Sequence, residues 1–305
     1  MAGQPQDHPS MPTIAALVSG FGWHVQDLRR AAGQLDIEFR PVPFPSVSGR
    51  VGMDAPRIEA NGIDLTRVDG VLLRMMPPGS LEQVIFRMDA LHRLAAIGIP
   101  VLNPPRAIEA SVDKYLTLAQ LEAEGLPVPA TWVGESSAEA LNAFEQLGGD
   151  VVVKPIFGSE GRGLVRVSDY ELARRTFQTL ARLGAVLYVQ RYIKHPGHDI
   201  RAFVLGDRVL GAIRREATGG DWRTNVAVGG VATRIALDSA TEDLAIRAAR
   251  AVGARAAGVD LLPDPERSGL VVIEVNAVPG WRSLAAATGV DVARLLLLDL
   301  IGGLR

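Results

Sequence analysis

One stretch constrains this chain more than any other: Val151-Val-Val-Lys-Pro-Ile-Phe-Gly-Ser-Glu-Gly-Arg-Gly-Leu-Val-Arg-Val167. The β-branched residues Val151 to Val153 read as a buried strand that fixes Lys154 at its end. Gly158, Gly161 and Gly163 carry no Cβ, so backbone N–H groups of that loop can close over an anion without steric conflict. Ser159 and Arg162 add a hydroxyl and a guanidinium, and a second strand follows. The pattern therefore reads as a phosphate cradle between two strands, with an ordinary glycine-rich hairpin as the alternative. It is not a Walker A loop, because no Gly-Lys-Ser/Thr follows the glycines, and no helix opens as in a dinucleotide fingerprint.

Lysine is scarce elsewhere. It occurs only at 114, 154 and 194, leaving 29 of the 32 basic residues as arginine. In such a chain a lysine marks a place where a compact ammonium suits and a planar fork does not. The net charge of −2 offers no field for nucleic acid, and no apolar run is long enough to span a membrane. The chain has no cysteine, hence no disulfide, thiol chemistry or cysteine zinc site, in keeping with a reducing cytoplasm. Residues 1–12 are polar, with prolines at 5, 9 and 12, and read as a disordered tail rather than a signal peptide.

Taken in order, Thr13 to Val18 reads as a strand, Val25 to Leu35 as a helix and Ile37 to Val42 as a strand, the start of an α/β unit. Pro41 to Pro56 reads as a surface loop. Val68 to Arg74 is a further strand, Ser80 to Ile97 a helix capped by Ser80, and Ile99 to Leu102 a short strand. This gives a first domain at 13–105. The pattern over Arg106 to Glu124 is helical with a break near Ser111-Val-Asp113. The cradle strands, helices at Ala138 to Leu147 and Asp169 to Arg182, and strands at Thr131 to Val133 and Val186 to Tyr192 make a second unit at 106–192. Residues 193–305 form a third: strands Ile200 to Leu205, Arg208 to Arg214 and Val231 to Ile235, a helix at Ala240 to Val252, then a hairpin of Ala256 to Leu262 with Leu270 to Asn276. A closing helix is expected over Ser283 to Leu304, and its apolar run Leu295 to Leu300 reads as core or as the contact of a homo-oligomer.

Glu274 and Asn276 stand two apart on a strand and so point to one face, with Asp260 on the hairpin partner within reach. Carboxylates plus an amide oxygen suit a hard octahedral cation such as Mg²⁺. A polar face on an edge strand is the alternative, weakened by the flanking valines. Arg201, Arg214, Arg215, Arg223 and Asn225 cluster about strands facing the same cleft, where arginine clamps carboxylate or phosphate at two points. His195 and His198, around a Pro-Gly turn, read as solvated loop residues rather than ligands. No Gly-x-Ser-x-Gly elbow or cysteine nucleophile supports covalent hydrolysis.

Together these motifs carry a resemblance. Ser111-Val-Asp-Lys114, Val151-Val-Val-Lys-Pro155, Gly158 to Gly163, Tyr188-Val-Gln-Arg-Tyr-Ile193, Asp199-Ile-Arg201, Arg214-Arg215, Asp260 and Ile273-Glu-Val-Asn276 occur in the order seen in ATP-grasp ligases, and the chain resembles the RimK-type α-L-glutamate ligases among them. The resemblance implies an α/β and α+β chain: an ATP-grasp fold behind an N-terminal α/β, or pre-ATP-grasp, domain. It implies that Lys114 and Lys154 contact ATP phosphates under a lid of Gly158, Ser159, Glu160, Gly161, Arg162 and Gly163. Gln190, Arg191, Tyr192 and Ile193 would be the hinge whose backbone reads adenine, with Asp199 near the ribose. The side-chain role of Arg191, which departs from the acidic or lysine residue often found there, stays open. Asp260, Glu274 and Asn276 would hold two Mg²⁺ ions, with Mn²⁺ as a substitute. Arg201, Arg215 and Asn225 would steady the transferred phosphoryl group.

The implied reaction is attack of a carboxylate on the γ-phosphate, then displacement of phosphate from the acyl phosphate by an amine. Positioning and charge neutralisation suffice for it, which agrees with the lack of a nucleophilic side chain. Glutamate is the expected amino acid, and a small cofactor of the methanopterin type the expected acceptor, with Arg74 and Arg282 as candidate rim arginines. A peptide or protein-tail acceptor, an ATP-grasp kinase and a nucleotide-binding regulator are the competing readings.

Overall fold

A computed structural model of the chain describes residues 11–52, 57–158, 163–217, 222 and 231–302. In chain order the elements are β1 Thr13–Val18, α1 Trp23–Gln34, β2 Glu38–Pro43, β3 Val47–Arg50, β4 Arg57–Ala60, β5 Ile63–Asp64, β6 Gly70–Leu73, α2 Leu81–Ala96 and β7 Val101–Leu102. There follow α3 Pro105–Val112, α4 Lys114–Ala123, β8 Thr131–Gly134, α5 Ser137–Gln146, β9 Val151–Lys154, β10 Val165–Val167, α6 Tyr170–Arg182 and β11 Leu187–Arg191. The rest is β12 His198–Leu205, β13 Arg208–Glu216, β14 Val231–Ile235, α7 Ser239–Ala251, β15 Ala256–Asp264, β16 Gly269–Asn276, α8 Arg282–Thr288 and α9 Val292–Leu300.

These elements form two compact units. The first takes Met1–Pro105, Gly280–Arg282 and Asp291–Arg305, and the second Arg106–Pro279 with Ser283–Val290. Residues 193–305, expected as a third unit, divide between the two, with Asp291–Arg305 grouped in the first.

The first unit is built on a parallel sheet of order β2-β1-β6-β7. Its central strand β1 reads Thr-Ile-Ala-Ala-Leu-Val and is buried from Ile14 to Val18, the near-continuous apolar run of a strand covered on both faces. Helix α2 starts with a reciprocal capping box, Ser80 accepting from the Gln83 N–H and Gln83 accepting from the Ser80 N–H. Helix α9 packs on α1 and β6, and Arg30 pairs with both oxygens of Asp291 at 2.8 and 3.0 Å. The approach is close: a Cβ on Gly70 would lie 2.7 Å from Leu300 Cγ. The segment Gly280–Arg282 also enters this unit. The Trp281 N–H donates to His24 Nε2 at 3.1 Å, its indole N–H donates to Asp27 at 2.8 Å, and the Arg74 guanidinium stacks 4.6 Å from its ring centre.

Two expectations fail here. The stretch Pro41 to Pro56 is not all loop, because β3 pairs with β4, and β4 with β5, in a small antiparallel sheet. Only Val47 of β3 is buried, so its sequence carries no alternation to betray it. The closing helix over Ser283 to Leu304 is interrupted: Gly289 adopts a left-handed φ of 75°, and Asp291 restarts the chain as N-cap by accepting from the Arg294 N–H.

The second unit holds two antiparallel sheets, of order β10-β9-β11-β8 and β14-β13-β12-β15-β16. Helices α5 and α6 cover the first through Ala140, Phe144, Ala173 and Phe177, packed on Val151, Val153 and Val189. Helices α3, α4 and α7 cover the second through Ala107, Leu118, Leu121, Ala245 and Ala249, packed on Val204, Val259 and Val275. The break expected near Ser111-Val-Asp113 separates α3 from α4, with Asp113 capping α4 by accepting from the Tyr115 and Leu116 N–H groups.

Candidate active site

Sheet register assembles the candidate residues of the second unit. Across β12, β15 and β16, Arg201 lies opposite Asp260 and Asp260 opposite Glu274. On the other side of β12, Asp199 lies opposite Arg215 of β13. Side chains two apart on a strand share a face, so a row of charged side chains runs over four strands.

The row is tightly bonded. Arg201 grips Asp260 with Nε to Oδ1 and Nη2 to Oδ2, both at 2.6 Å. Arg215 donates to both oxygens of Asp199 at 2.7 and 2.5 Å, and its Nη2 also reaches Asp260 Oδ2 at 2.9 Å. Burial alone would raise the Asp260 carboxyl, but Arg201 and Arg215 outweigh it and hold the group below the usual carboxylate range. The two arginines differ in access: the Arg215 side chain is 3% exposed and that of Arg201 19%.

Glu274 is the contrast. Among the described residues no hydrogen bond or ion pair engages its carboxylate. Burial raises its pKa, and the neighbouring Asp260 charge adds to the rise, against the pull of Arg201, Lys114 and Lys154. Such a carboxylate is short of positive charge. Asn276, two residues on, uses Oδ1 to accept from the Val278 N–H at 2.8 Å.

Lys154 ends β9 and donates to Gln190 Oε1 at 2.7 Å. Burial lowers its pKa to about 8, with Glu274 and Asp260 pulling upward and Lys114 downward. Lys114 opens α4 and donates to the Gly158 carbonyl at 2.7 Å, while burial lowers its pKa too. It thereby clasps the base of the glycine loop. Gly163, at φ 74°, turns the chain back into β10.

Several expectations need correction. Asp199, expected near the ribose, is 1% exposed and accepts from Arg215 through both oxygens. Arg215, expected at the phosphoryl group, is equally closed in and bridges Asp199 and Asp260. In the hinge, the Arg191 and Tyr192 N–H groups donate to Ala130 and Asp150 carbonyls at 2.9 Å, and the Ile193 carbonyl accepts from the His195 N–H. The Arg191 and Tyr192 N–H groups are thus committed to backbone carbonyls. The Gln190 side chain turns inward to Lys154. Arg191 ties β11 to the β15–β16 turn through Asp264 at 2.9 Å and Glu266 at 2.5 Å, which supplies the role left open in sequence. His195 and His198 are half-buried rather than solvated. Ser159, Glu160, Gly161, Arg162, Arg223, Asn225 and the tail to residue 10 lie outside the described residues.

Two neighbours were missed in sequence, Thr131 and Tyr188, which both bond Gln190. Alternation in Leu187-Tyr-Val-Gln-Arg191 already puts Tyr188 and Gln190 on one face, so Tyr188 was findable.

The residues fit a divalent cation. Among the described residues no three His, Cys, Asp or Glu groups cluster as a ready cage, so the fit is to an ion sharing its shell with phosphate and water. Glu274 supplies an unengaged carboxylate. Asp260 accepts three N–H bonds of the roughly four an ionised carboxylate can take, which leaves room for one further contact.

Comparison with known proteins identifies the family. A model of the RimK-like ATP-grasp domain matches residues 111–300. The tetrahydromethanopterin:α-L-glutamate ligase of Methanosarcina acetivorans is 33% identical, over 96% of this chain and 95% of that one. A probable α-L-glutamate ligase of Trichodesmium erythraeum is 35% identical over 72% and 73% of the two chains. In structure, the ATP-grasp ligase PsnB complexed with minimal precursor superposes with a TM-score of 0.77 at 22% identity, covering 96% of this chain and 99% of that chain. A RimK domain protein from Sphaerobacter thermophilus does so with a TM-score of 0.72 at 23% identity, over 95% and 98%. By the match over residues 111–300 and the identity to these relatives, this chain belongs to the RimK-like ATP-grasp family.

Proposed function

We propose that this protein is an ATP-dependent carboxylate–amine ligase that adds L-glutamate to the carboxylate of a small acidic cofactor or metabolite, through an acyl phosphate. One observation carries the reading: Lys114 and Lys154, on separate elements, share their field with a Glu274 carboxylate that no described side chain engages directly. Two ammonium groups facing an unengaged carboxylate suit a metal-bound polyphosphate, which brings both signs of charge together.

In this reading Lys114 and Lys154 hold ATP phosphates, and Glu274, Asp260 and Asn276 hold two Mg²⁺ ions, with Mn²⁺ able to replace them. Bound Mg²⁺ supplies positive charge that offsets the phosphate oxygens. Arg201, the more exposed arginine of the row, steadies the γ-phosphoryl group as the acceptor carboxylate attacks it and ADP leaves. Glutamate then attacks the acyl carbon through its amine, the C–N bond forms, the C–O bond to phosphate breaks, and the amine proton passes to solvent. Arg215 and Asp199 keep Arg201 and Asp260 in place throughout. The named relatives that act on tetrahydromethanopterin favour a ring-bearing C1 carrier as acceptor. The lack of cysteine suits work in the cytoplasm.

The test is incubation of the protein with Mg-ATP, isotope-labelled glutamate and a small-molecule extract, followed by mass spectrometry. A metabolite gaining one labelled glutamyl unit supports the reading. Label on peptides alone would move the acceptor to a protein tail, and ADP release independent of any amine would make the protein a kinase.

A further inference from the structure

We propose that Thr131 and Gln190 are positioning residues for Lys154, fixing which end of a buried amide the ammonium meets. The inference rests on the reading that Lys154 contacts ATP phosphate, and it concerns groups behind that lysine.

The geometry lies in the sheet β9-β11-β8. Lys154 is in register with Tyr188, and Gln190 with Thr131. Gln190, 4% exposed, donates through Nε2 to Thr131 Oγ1 at 2.9 Å and to the Tyr188 hydroxyl at 3.2 Å, and accepts from Lys154 through Oε1 at 2.7 Å. The Thr131 hydroxyl proton is already committed to the Pro129 carbonyl at 2.9 Å. Thr131 can therefore only accept from its neighbours, so the hydroxyl beside Nε2 has no proton to give it. A flipped amide would set its oxygen against the Thr131 oxygen and its NH₂ against an ammonium. The Pro129 carbonyl, acting through Thr131, decides that Lys154 meets Oε1.

An amide suits this task better than a carboxylate. It orients the ammonium yet carries no charge, so the lysine's charge stays available to an anion. The other charged groups facing Lys154 are Glu274 of β16, Asp260 of β15 and Lys114 of α4, with the Tyr188 ring centre 5.9 Å from its Nζ. Glu at 190 would form an ion pair and neutralise the lysine locally.

The test uses the scarcity of lysine. With only three in the chain, ¹³Cε-lysine NMR of the whole protein gives three signals, assignable by single Lys→Arg variants. Gln190→Glu should raise the Lys154 titration midpoint by about one unit or more and weaken Mg-ATP binding. Thr131→Val and Gln190→Met should each shift the Lys154 signal and weaken Mg-ATP binding about tenfold or more, the loss of one hydrogen bond to a charged group. Thr131→Ser, which keeps the hydroxyl, should match the wild type in both. An unmoved Lys154 signal in Thr131→Val and Gln190→Met, with Mg-ATP affinity retained while Lys154→Met loses it, overturns the proposal. If Lys154→Met itself binds Mg-ATP like the wild type, the phosphate reading falls, and with it the functional meaning of the positioning.

Discussion

Asp260 and Glu274 face each other in register across β15 and β16, yet their surroundings drive the two carboxyl groups apart. Asp260 is held ionised by Arg201 and Arg215, whereas Glu274, buried beside that charge, is pushed toward its neutral form. One carboxylate is already part of the protein's own charge balance, and the other has no direct partner among the described residues.

The pair predicts opposite stability effects. Because the folded pKa of Glu274 is raised, its contribution is favourable below the unfolded value of 4.5 and is lost as pH rises through the folded one. At neutral pH without Mg²⁺, Glu274→Gln should melt at or above the wild-type temperature, while losing Mg-dependent stabilisation by ATP and at least about 100-fold in turnover. Asp260→Asn leaves two arginines facing a neutral amide and should cost about 3–5 kcal/mol. Calorimetry with and without Mg-ATP separates the two.

Lys154 predicts an alkaline limb. With a pKa lowered to about 8 by burial, its ammonium is lost as pH rises through that value. Affinity for Mg-ATP in the free enzyme should fall above pH 8, and the limb should move upward in kcat, because bound phosphate favours the charged form. A pH profile of kcat/KM for ATP and of kcat checks both. Global stability moves the other way, rising between pH 8 and the unfolded value of 10.5, since only the unfolded lysine binds a proton there.

In the first unit, His24 has its pKa lowered to about 4, first by burial and then by Arg74. It accepts the Trp281 N–H as a neutral ring. The stability this confers is complete above the unfolded value of 6.5 and is lost as pH falls toward 4. His24→Gln should flatten the acid side of a denaturant midpoint against pH curve over that window.

Asp199 should behave as a structural counter-charge. Asp199→Asn leaves Arg215 with one buried carboxylate instead of two, so we expect a loss of about 3 kcal/mol in stability and a fall in kcat, with KM for ATP little changed. A ribose contact would instead raise KM for ATP with the melting temperature unaffected.

What could be read in advance followed from local rules. The alternation in Val271 to Asn276 set Glu274 and Asn276 on one face, and the break near Ser111-Val-Asp113 marked where α3 gives way to α4. What escaped depended on pairing between distant segments. Asp199 meets Arg215 only through the β12–β13 register, which shifts between Phe203 and Val204, and neither strand's own pattern encodes that shift. The inward turn of Gln190 required Thr131, 59 residues away. Strand β3, with one buried residue, offered no periodicity to detect.

The closing helix α9 has a consequence for how the protein is made. It belongs to the first unit, where it covers α1 and β6 and anchors Arg30 through Asp291. Synthesis runs from the N-terminus, so the ribosome releases β1 to β7 early while their covering helix is still unmade. A chain stopped short of Asp291 would therefore leave the Gly70 side of its first sheet, where Leu300 otherwise packs, bare for a chaperone to guard.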